Sequence, residues 1–558
     1  MRKNRILAGF TALITAATFL AGCGNVYTEG NVSKLTEEEA QKELTSLMKK
    51  VDVSVNNNPT LDIYSEDVSE ADTLADIDTF PIAVKGSGSI NIEIAAATEL
   101  SASAPDDWIN IVAQKFNSSG AEIDGKSVSV SVRKITSGEV VTYIVSGGYQ
   151  PEVFIPSNDA WGKMLDASGY TTTKITDRIA GNTAGILIKK DVYDKFVEQY
   201  GEATVANVLK AANAGDLTFA YTNPYTSSTG LNVLCAMLAS FDSSDPLSDT
   251  ATSALLEYQK TSPPVAYTTA VLRNQAAKGI INAMVMERQA YSNTSELKNY
   301  VYTPVGIRHD HPVYTFDWTT GEEKEAAKLF TEFCMTDAMQ KLATEKGFNQ
   351  DDDYASQDTG MTGADYIAAQ KVWKQNKNGG RPIVAVFIAD VSGSMDGEPL
   401  NSLKQSLISS STYISSDHHI GLVSYDNDVT INLPIARFDA TQRAYFSGEV
   451  KKLQAGGQTA TYDAVLTGMQ MLEDYAKDIP DAKLMLFVLT DGDQNTGYSL
   501  DRITDVVGGL KIPVYTIAYN YESVNDLETL SNINEAAQIK ASSDDVVNQL
   551  RNLFNVNL

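Results

Sequence analysis

The chain has 558 residues, with 71 acidic against 44 basic side chains and a formal net charge of −27. That length exceeds what one hydrophobic core organises, so two or three domains are expected, and 43% hydrophobic with 21% charged residues is a globular composition. The charge argues against nucleic acid and anionic headgroups as partners, since both need Lys and Arg to displace counterions; it favours solubility and multivalent cations.

Taken in chain order, Arg2, Lys3 and Arg5 form a basic start, and an apolar run follows over 6–20. That run is too short for a comfortable membrane span and suits the core of a signal peptide. Leu20-Ala21-Gly22-Cys23 comes next. Small residues before a cysteine at this distance resemble the bacterial lipoprotein lipobox. The resemblance implies cleavage after residue 22 and a lipid chain on Cys23. It places the mature protein on the outer face of the cytoplasmic membrane, touching the bilayer only through its lipid. Residues 23–89 read as an acidic tether, with one amphipathic helix over 33–50 and an extended acid-rich stretch over 66–78.

From 90 to 350 strands and helices alternate, which predicts a parallel sheet covered by helices. Strands are expected at 90–96, 127–135, 151–155, 185–188 and 299–305, and helices at 106–116, 139–145 and, as one long element, 322–343. Cys235 and Cys334 lie in apolar, helix-like stretches and read as two buried free thiols, with a disulfide as the alternative. His309-Asp310-His311, before Pro312, reads as ordinary surface loop. Residues 351–380 read as a polar linker, bounded by Asp351-Asp352-Asp353 and Asn376-Lys377-Asn378-Gly379-Gly380.

The order of elements in 90–350 resembles a two-lobed solute-binding protein of the type II periplasmic kind. The loops that carry the likeness are Ala95-Ala96-Ala97-Thr98-Glu99, Pro156-Ser157-Asn158 and Thr222-Asn223-Pro224-Tyr225-Thr226-Ser227-Ser228-Thr229-Gly230. Hydroxyls and free backbone N–H groups at a helix start can hold an anion without Arg or Lys. Thr98, Ser157, Thr226, Ser227, Ser228 and Thr229 are therefore the candidate contacts for a small anionic solute, against the plainer reading of a structural helix cap. Trp161, Tyr225 and Tyr291 either line the cleft or pack in the core.

A new domain is expected from 381 to 558. An uninterrupted apolar strand over 382–389 delivers Asp390-Val391-Ser392-Gly393-Ser394, and a second over 484–489 delivers Thr490-Asp491-Gly492. Further strands are expected at 420–425, 429–433 and 514–518, with helices at 399–414, 441–453, 460–475, 499–510 and 544–554. Ligands of open α/β sheets bind beyond the carboxyl ends of the strands, where both acidic loops fall. Asp390, Ser392, Ser394, Thr459 and Asp491 offer three hydroxyls and two carboxylates. Hard oxygen donors without His or Cys select Mg²⁺, with Ca²⁺ or Mn²⁺ as alternatives. Asp396, Asp463 and Asp493 read as solvated or helix-capping acids, and His418 and His419 as exposed loop.

These five residues, in this order, resemble the metal-ion-dependent adhesion site of the von Willebrand factor type A family. The likeness implies a Rossmann-like domain, a mostly parallel sheet with helices on both faces, in which a partner protein's carboxylate completes the metal shell. Together the resemblances lead to the expectation of a cell-surface binding protein. The alternative is the solute-capturing receptor of an ABC importer with a docking or regulatory C-terminal domain. No G-x-x-x-x-G-K-[ST], G-x-S-x-G or H-E-x-x-H motif points to an enzyme.

Overall fold

The computed structural model describes residues 34–62, 74, 76–261, 263–266, 281–412, 414–492, 494–519, 525–534 and 538–541, with 269, 272, 273 and 276 between them. The expected signal peptide over 1–22, Cys23, Asp493 and the helix expected over 544–554 lie outside the described residues.

The C-terminal sheet runs in the order Val53–Val55, Val429–Arg437, His419–Tyr425, Ile383–Asp390, Lys483–Thr490, Val514–Tyr519, Gln538–Ala541. The central strand Ile383–Asp390 is parallel to both neighbours, and all eight of its residues are buried. Burial on both faces explains why it reads as a continuous apolar run rather than an alternating one. Its side chains still part with period two. Ile383, Ala385, Phe387 and Ala389 face Leu403, Leu407 and Phe446, whereas Val384, Val386 and Ile388 face Val465, Met469 and Val507. The helix Asn525–Ile533 and the strand Gln538–Ala541 add to the expected elements.

Residues 34–62 of the expected tether are part of this domain. Thr36 and Glu39 close a capping box on the helix Glu37–Met48. Ala40, Leu44 and Leu47 of that helix are buried in the same layer as Val384 and Val507. Val53–Val55 then pairs in parallel with Val429, Thr430 and Ile431. The segment after it is pinned to the helix Ala440–Lys452: Asn56 and the Thr60 N–H donate to the Glu449 carboxylate at 2.9 and 2.7 Å, and Ser447 and Lys451 donate to Asp62 at 2.7 and 2.6 Å. The sequence reading missed this because the pairing is remote. Ser54 meets Thr430 across 376 residues, and three strand residues carry no pattern of their own.

The central domain is thus inserted between Asp62 and Ile383, and it has two lobes. The first lobe's sheet runs Ile82–Val84, Lys126–Lys134, Ile90–Ala96, Val153–Ile155, Val313–Phe316, Thr172–Thr176. The second runs Val265–Ala266, Phe219–Thr222, Ala283–Glu287, Thr183–Lys189, Tyr300–Arg308. The chain crosses between the sheets over 177–182 and returns over 309–312. The turn Ile77–Thr79, where Asp78 pairs with Arg133, corrects the extended reading of the acidic stretch at its C-terminal end, and residues 66–73 of that stretch lie outside the described residues. The helix expected over 322–343 is two, Gly321–Cys334 and Asp337–Glu345, broken at Met335 and Thr336. Cys235 and Cys334 are buried free thiols.

Residues 351–380 are not a free linker. Asp352 pairs with Arg178 at 2.5 Å, the Thr183 hydroxyl donates to Asp351 at 2.7 Å, and the helix Gly363–Asn376 follows. That helix packs on Ala160–Ala167 of the first lobe and on Ser228–Phe241 of the second. Gly363 sits so close to the first lobe that a Cβ there would lie 1.9 Å from the Lys163 carbonyl oxygen. At the other end the Trp373 indole N–H donates to the Tyr221 hydroxyl at 2.8 Å. Polar composition concealed a helix whose buried face is only Tyr366, Ala369, Gln370 and Trp373 beside its first residue.

Candidate metal site and interlobe cleft

Three loops meet at the carboxyl edge of the C-terminal sheet. Asp390, fully buried at the end of its strand, accepts the Ser392 N–H at 2.8 Å on Oδ1 and the Thr490 hydroxyl at 2.5 Å on Oδ2. The Ser392 and Ser394 hydroxyls lie 3.1 Å apart, and Ser394 donates to Asp491 at 2.7 Å. The third loop is held against the first by Gly456 N–H to the Val391 oxygen (2.8 Å) and Gly393 N–H to the Gly457 oxygen (3.2 Å). Thr459 is buried on that loop, and its N–H donates to Asn495 at 2.9 Å. Four of the five expected ligands therefore touch one another or share one carboxylate, and the fifth is fixed on a loop bonded to theirs.

Burial pushes the Asp390 carboxyl above the ordinary carboxylate range; its hydrogen bonds from Thr490 and Ser392 oppose this, and the charge of Asp491 adds to it. Burial raises Asp491 as well, against the Ser394 hydrogen bond. Two carboxylates held at a cost beside three hydroxyls form a donor set that fits a hard divalent cation. Sequence reasoning did not assign Thr490 a role, although it stands next to Asp491 and orients Asp390. Asp463, expected to cap or solvate, accepts the Tyr498 N–H at 2.8 Å. His418 is buried rather than exposed, and His419 meets the Tyr475 hydroxyl at 2.9 Å.

The second site lies between the lobes of the central domain, a cleft of about 290 Å³. Of the expected solute contacts, Thr98 and Ser157 line it from the first lobe and Thr226, Ser227 and Ser228 from the second. Thr229 does not face it in the same way; its hydroxyl donates to Glu287. Thr136, Ser137, Glu99 and Glu287 also line the cleft and were not among the expected contacts. Glu287 ends the strand Ala283–Glu287, an apolar run closed by an acid, which is the same local signal that marks Asp390. Ser227 caps its helix through the Gly230 N–H, so one of the expected contacts also serves the plainer structural role. Trp161 is core, donating to Ser228 at 2.7 Å; Tyr225 packs against Trp373 and Tyr291 stacks on Tyr302.

The two histidines read as surface are fully buried at the crossover. His311 binds the Ala180 oxygen through Nδ1 at 2.8 Å and meets Glu99 through Nε2 at 3.3 Å. Burial lowers His309 to about 4, so it is neutral at pH 7. A loop flanked by Asp310 and Pro312 looks exposed in sequence. Here the two crossover segments run side by side and enclose it, with His309 N–H on the Asn182 oxygen at 3.0 Å.

Residues 98–349 match the family described as bacterial extracellular solute-binding protein, and residues 385–555 match the von Willebrand factor type A domain. This chain joins a solute-binding domain to a von Willebrand factor type A domain. Over 182 residues it is 31% identical to inter-alpha-trypsin inhibitor heavy chain H3 of Bos taurus, which is 30% of this chain and 20% of that protein. The chain thus spans about a fifth of the length of the curated relatives it matches. Among solved structures it is similar to the substrate-binding domain of a putative molybdenum ABC transporter from Clostridium difficile (14% identity, 47% of this chain and 98% of that one, TM-score 0.30). It is also similar to a von Willebrand factor type A protein from Catenulispora acidiphila (19% identity, 31% and 42%, TM-score 0.29). The type A domain extends beyond its family match, since residues 34–62 complete it, and the solute-binding domain runs on through the helix Gly363–Asn376. Among the described residues no helix is long and apolar enough to cross a membrane.

Proposed function

We propose that this chain is an extracytoplasmic binding protein that grips a partner protein through a divalent cation in its type A domain. Asp390, Ser392, Ser394, Thr459 and Asp491 would hold the ion, Mg²⁺ by the hardness of the donors, and an acidic side chain of the partner would complete its shell. The ion supplies a positive charge that the buried Asp390 and half-buried Asp491 carboxylates alone cannot offer to an anionic partner. The observation that carries this reading is the hydrogen-bonded set Ser392–Ser394–Asp491 beside buried Asp390. The role is recognition, not catalysis. Lipid attachment at Cys23 would hold both domains at the cell surface, and mass spectrometry of the mature N-terminus tests it.

Calorimetry of the purified chain with Mg²⁺, Ca²⁺ or Mn²⁺ should give a binding heat that Asp390→Ala removes. Pull-downs from cell-wall and host extracts should lose the partner with EDTA or with the same variant, while the solute-binding domain keeps its own melting transition. Absence of heat with all three ions, or partner capture that survives both treatments, sinks the proposal.

A second reading, a receptor that delivers a small solute to an importer, is favoured by the cleft between the lobes. It predicts that the solute-binding domain melts higher with its solute and that the chain binds a permease.

A further inference from the structure

The charge of the interlobe cleft is opposite to what its hydroxyl-rich helix start suggests. Among the described residues its lining holds hydroxyls and two carboxylates, Glu99 and Glu287, and no basic side chain. Glu287 reaches the start of the helix Ser228–Phe241, where the Thr229 hydroxyl donates to its Oε1. An internal carboxylate thus occupies the seat that a solute anion would take. The other oxygen of Glu287, on a residue only 5% exposed, has no donor in good hydrogen-bond geometry, although the Thr269 hydroxyl of the cleft lining also acts on this carboxylate.

Among the described residues the neighbouring basic side chains have partners of their own. His311 meets Glu99, Arg273 pairs with Asp106 at 3.1 Å, and Arg288, whose Nε makes no hydrogen bond, lies 3.6 Å from Asp351 and over the Tyr291 and Tyr302 rings. Burial and the charge of Glu99 both push the Glu287 carboxyl upward, while its hydrogen bonds from Thr229 and Thr269 oppose them. The His311 hydrogen bond and charge outweigh burial at Glu99 and hold that group ionised. Placing another negative charge some 4 Å from such a carboxylate disfavours binding on the order of a thousandfold. A buried acceptor oxygen with no donor is likewise costly until something donates to it.

We propose that the solute of this domain is a small organic amine, carried as its ammonium or guanidinium ion. One N–H donates to the second oxygen of Glu287, and the hydroxyls of Ser157, Thr226 and Ser228 accept the others. This rests on the reading that the domain captures a solute at all, and it replaces the small anion expected from the sequence. An ammonium suits the cleft better than a metal ion. Among the described residues no three His, Cys, Asp or Glu side chains gather around a metal-sized point, and Glu99 is committed to His311.

The test is isothermal titration of the full chain with ethanolamine, putrescine and guanidinium chlorides, set against sulfate, molybdate and phosphate. Binding heat with at least one amine and with no oxyanion is the expected result. Glu287→Gln keeps the shape but removes the charge, and should weaken that amine at least about thirtyfold. Its melting temperature without solute should be unchanged or higher, because an unpaired buried charge is gone; this separates loss of binding from loss of fold. Heat from an oxyanion and none from the amines overturns the inference and leaves the solute-binding reading intact. Amine binding that Glu287→Gln leaves unchanged also overturns it. Silence from both sets, together with no shift in melting, takes the solute-binding reading down with it.

Discussion

The type A domain and the solute-binding domain each place their polar groups at the carboxyl ends of strands, yet they solve opposite problems. At the metal site, two acids and two serines lie on two strand-end loops of one sheet, and their spacing within Asp390–Ser394 already brings hydroxyls to a carboxylate. In the cleft, each lobe contributes one acid, Glu99 from the first and Glu287 from the second, and only the docking of the lobes makes them neighbours. A site built within one sheet can be read from local order. A site built across two bodies acquires a charge that neither half displays.

The largest expected effect tests whether the type A domain reaches back to residue 34. Leu44→Ala removes a side chain 1% exposed in the core shared with Val384 and Val507, and should cost about 2–5 kcal/mol. It should lower only the melting transition that divalent cations raise; a tether would leave both transitions unmoved.

Asp491→Asn sharpens the contrast between stored charge and stability. Cation at a hundred times its Kd should stabilise the natural chain by about 2.7 kcal/mol, and the variant should lose that gain. Without metal the sign reverses. Asp491 has a folded pKa above its unfolded one, so the folded state binds more protons in between, and stability falls as pH rises through that window. The penalty is complete above the folded value and absent below the ordinary carboxylate range. Metal-free Asp491→Asn should therefore melt above the natural chain at pH 7 and converge with it in acid, as scanning calorimetry across pH would read.

Trp373→Phe is the mildest. It removes the indole N–H bonded to Tyr221 and should cost about 1 kcal/mol, confined to the solute-binding domain's transition. A shift in the other transition would mean that the helix Gly363–Asn376 carries strain from one domain to the other.

Much of the type A site was legible because its determinants are short. Asp390, Ser392 and Ser394 stand within one loop, and the apolar strands before Asp390 and Asp491 announce where those loops lie. The partnership of Thr490 with Asp390 needed coordinates, since a hydroxyl beside an acid has many uses. In the solute-binding domain the strand order and the loops at Thr98, Ser157 and Thr226 were readable; Glu287 was not, because an acid closing an apolar strand carries no sign of what stands opposite. The burial of His309 and His311 was equally silent, since a polar tripeptide before a proline gives no hint that two crossover segments enclose it.

The amino-acid sequence by itself determined the address-like start, the alternation of strands and helices, and the oxygen donors of the metal site, all of which depend on residues within a few positions of one another. Tertiary structure alone decided that residues 34–62 belong to the last domain, that the apparent linker straps two lobes, and that an acid from each lobe lines one cleft. Those three outcomes rest on contacts such as Ser54 with Thr430, separated by hundreds of residues. Hydrogen bonding and burial at that range follow from how whole sheets dock, which no local pattern encodes.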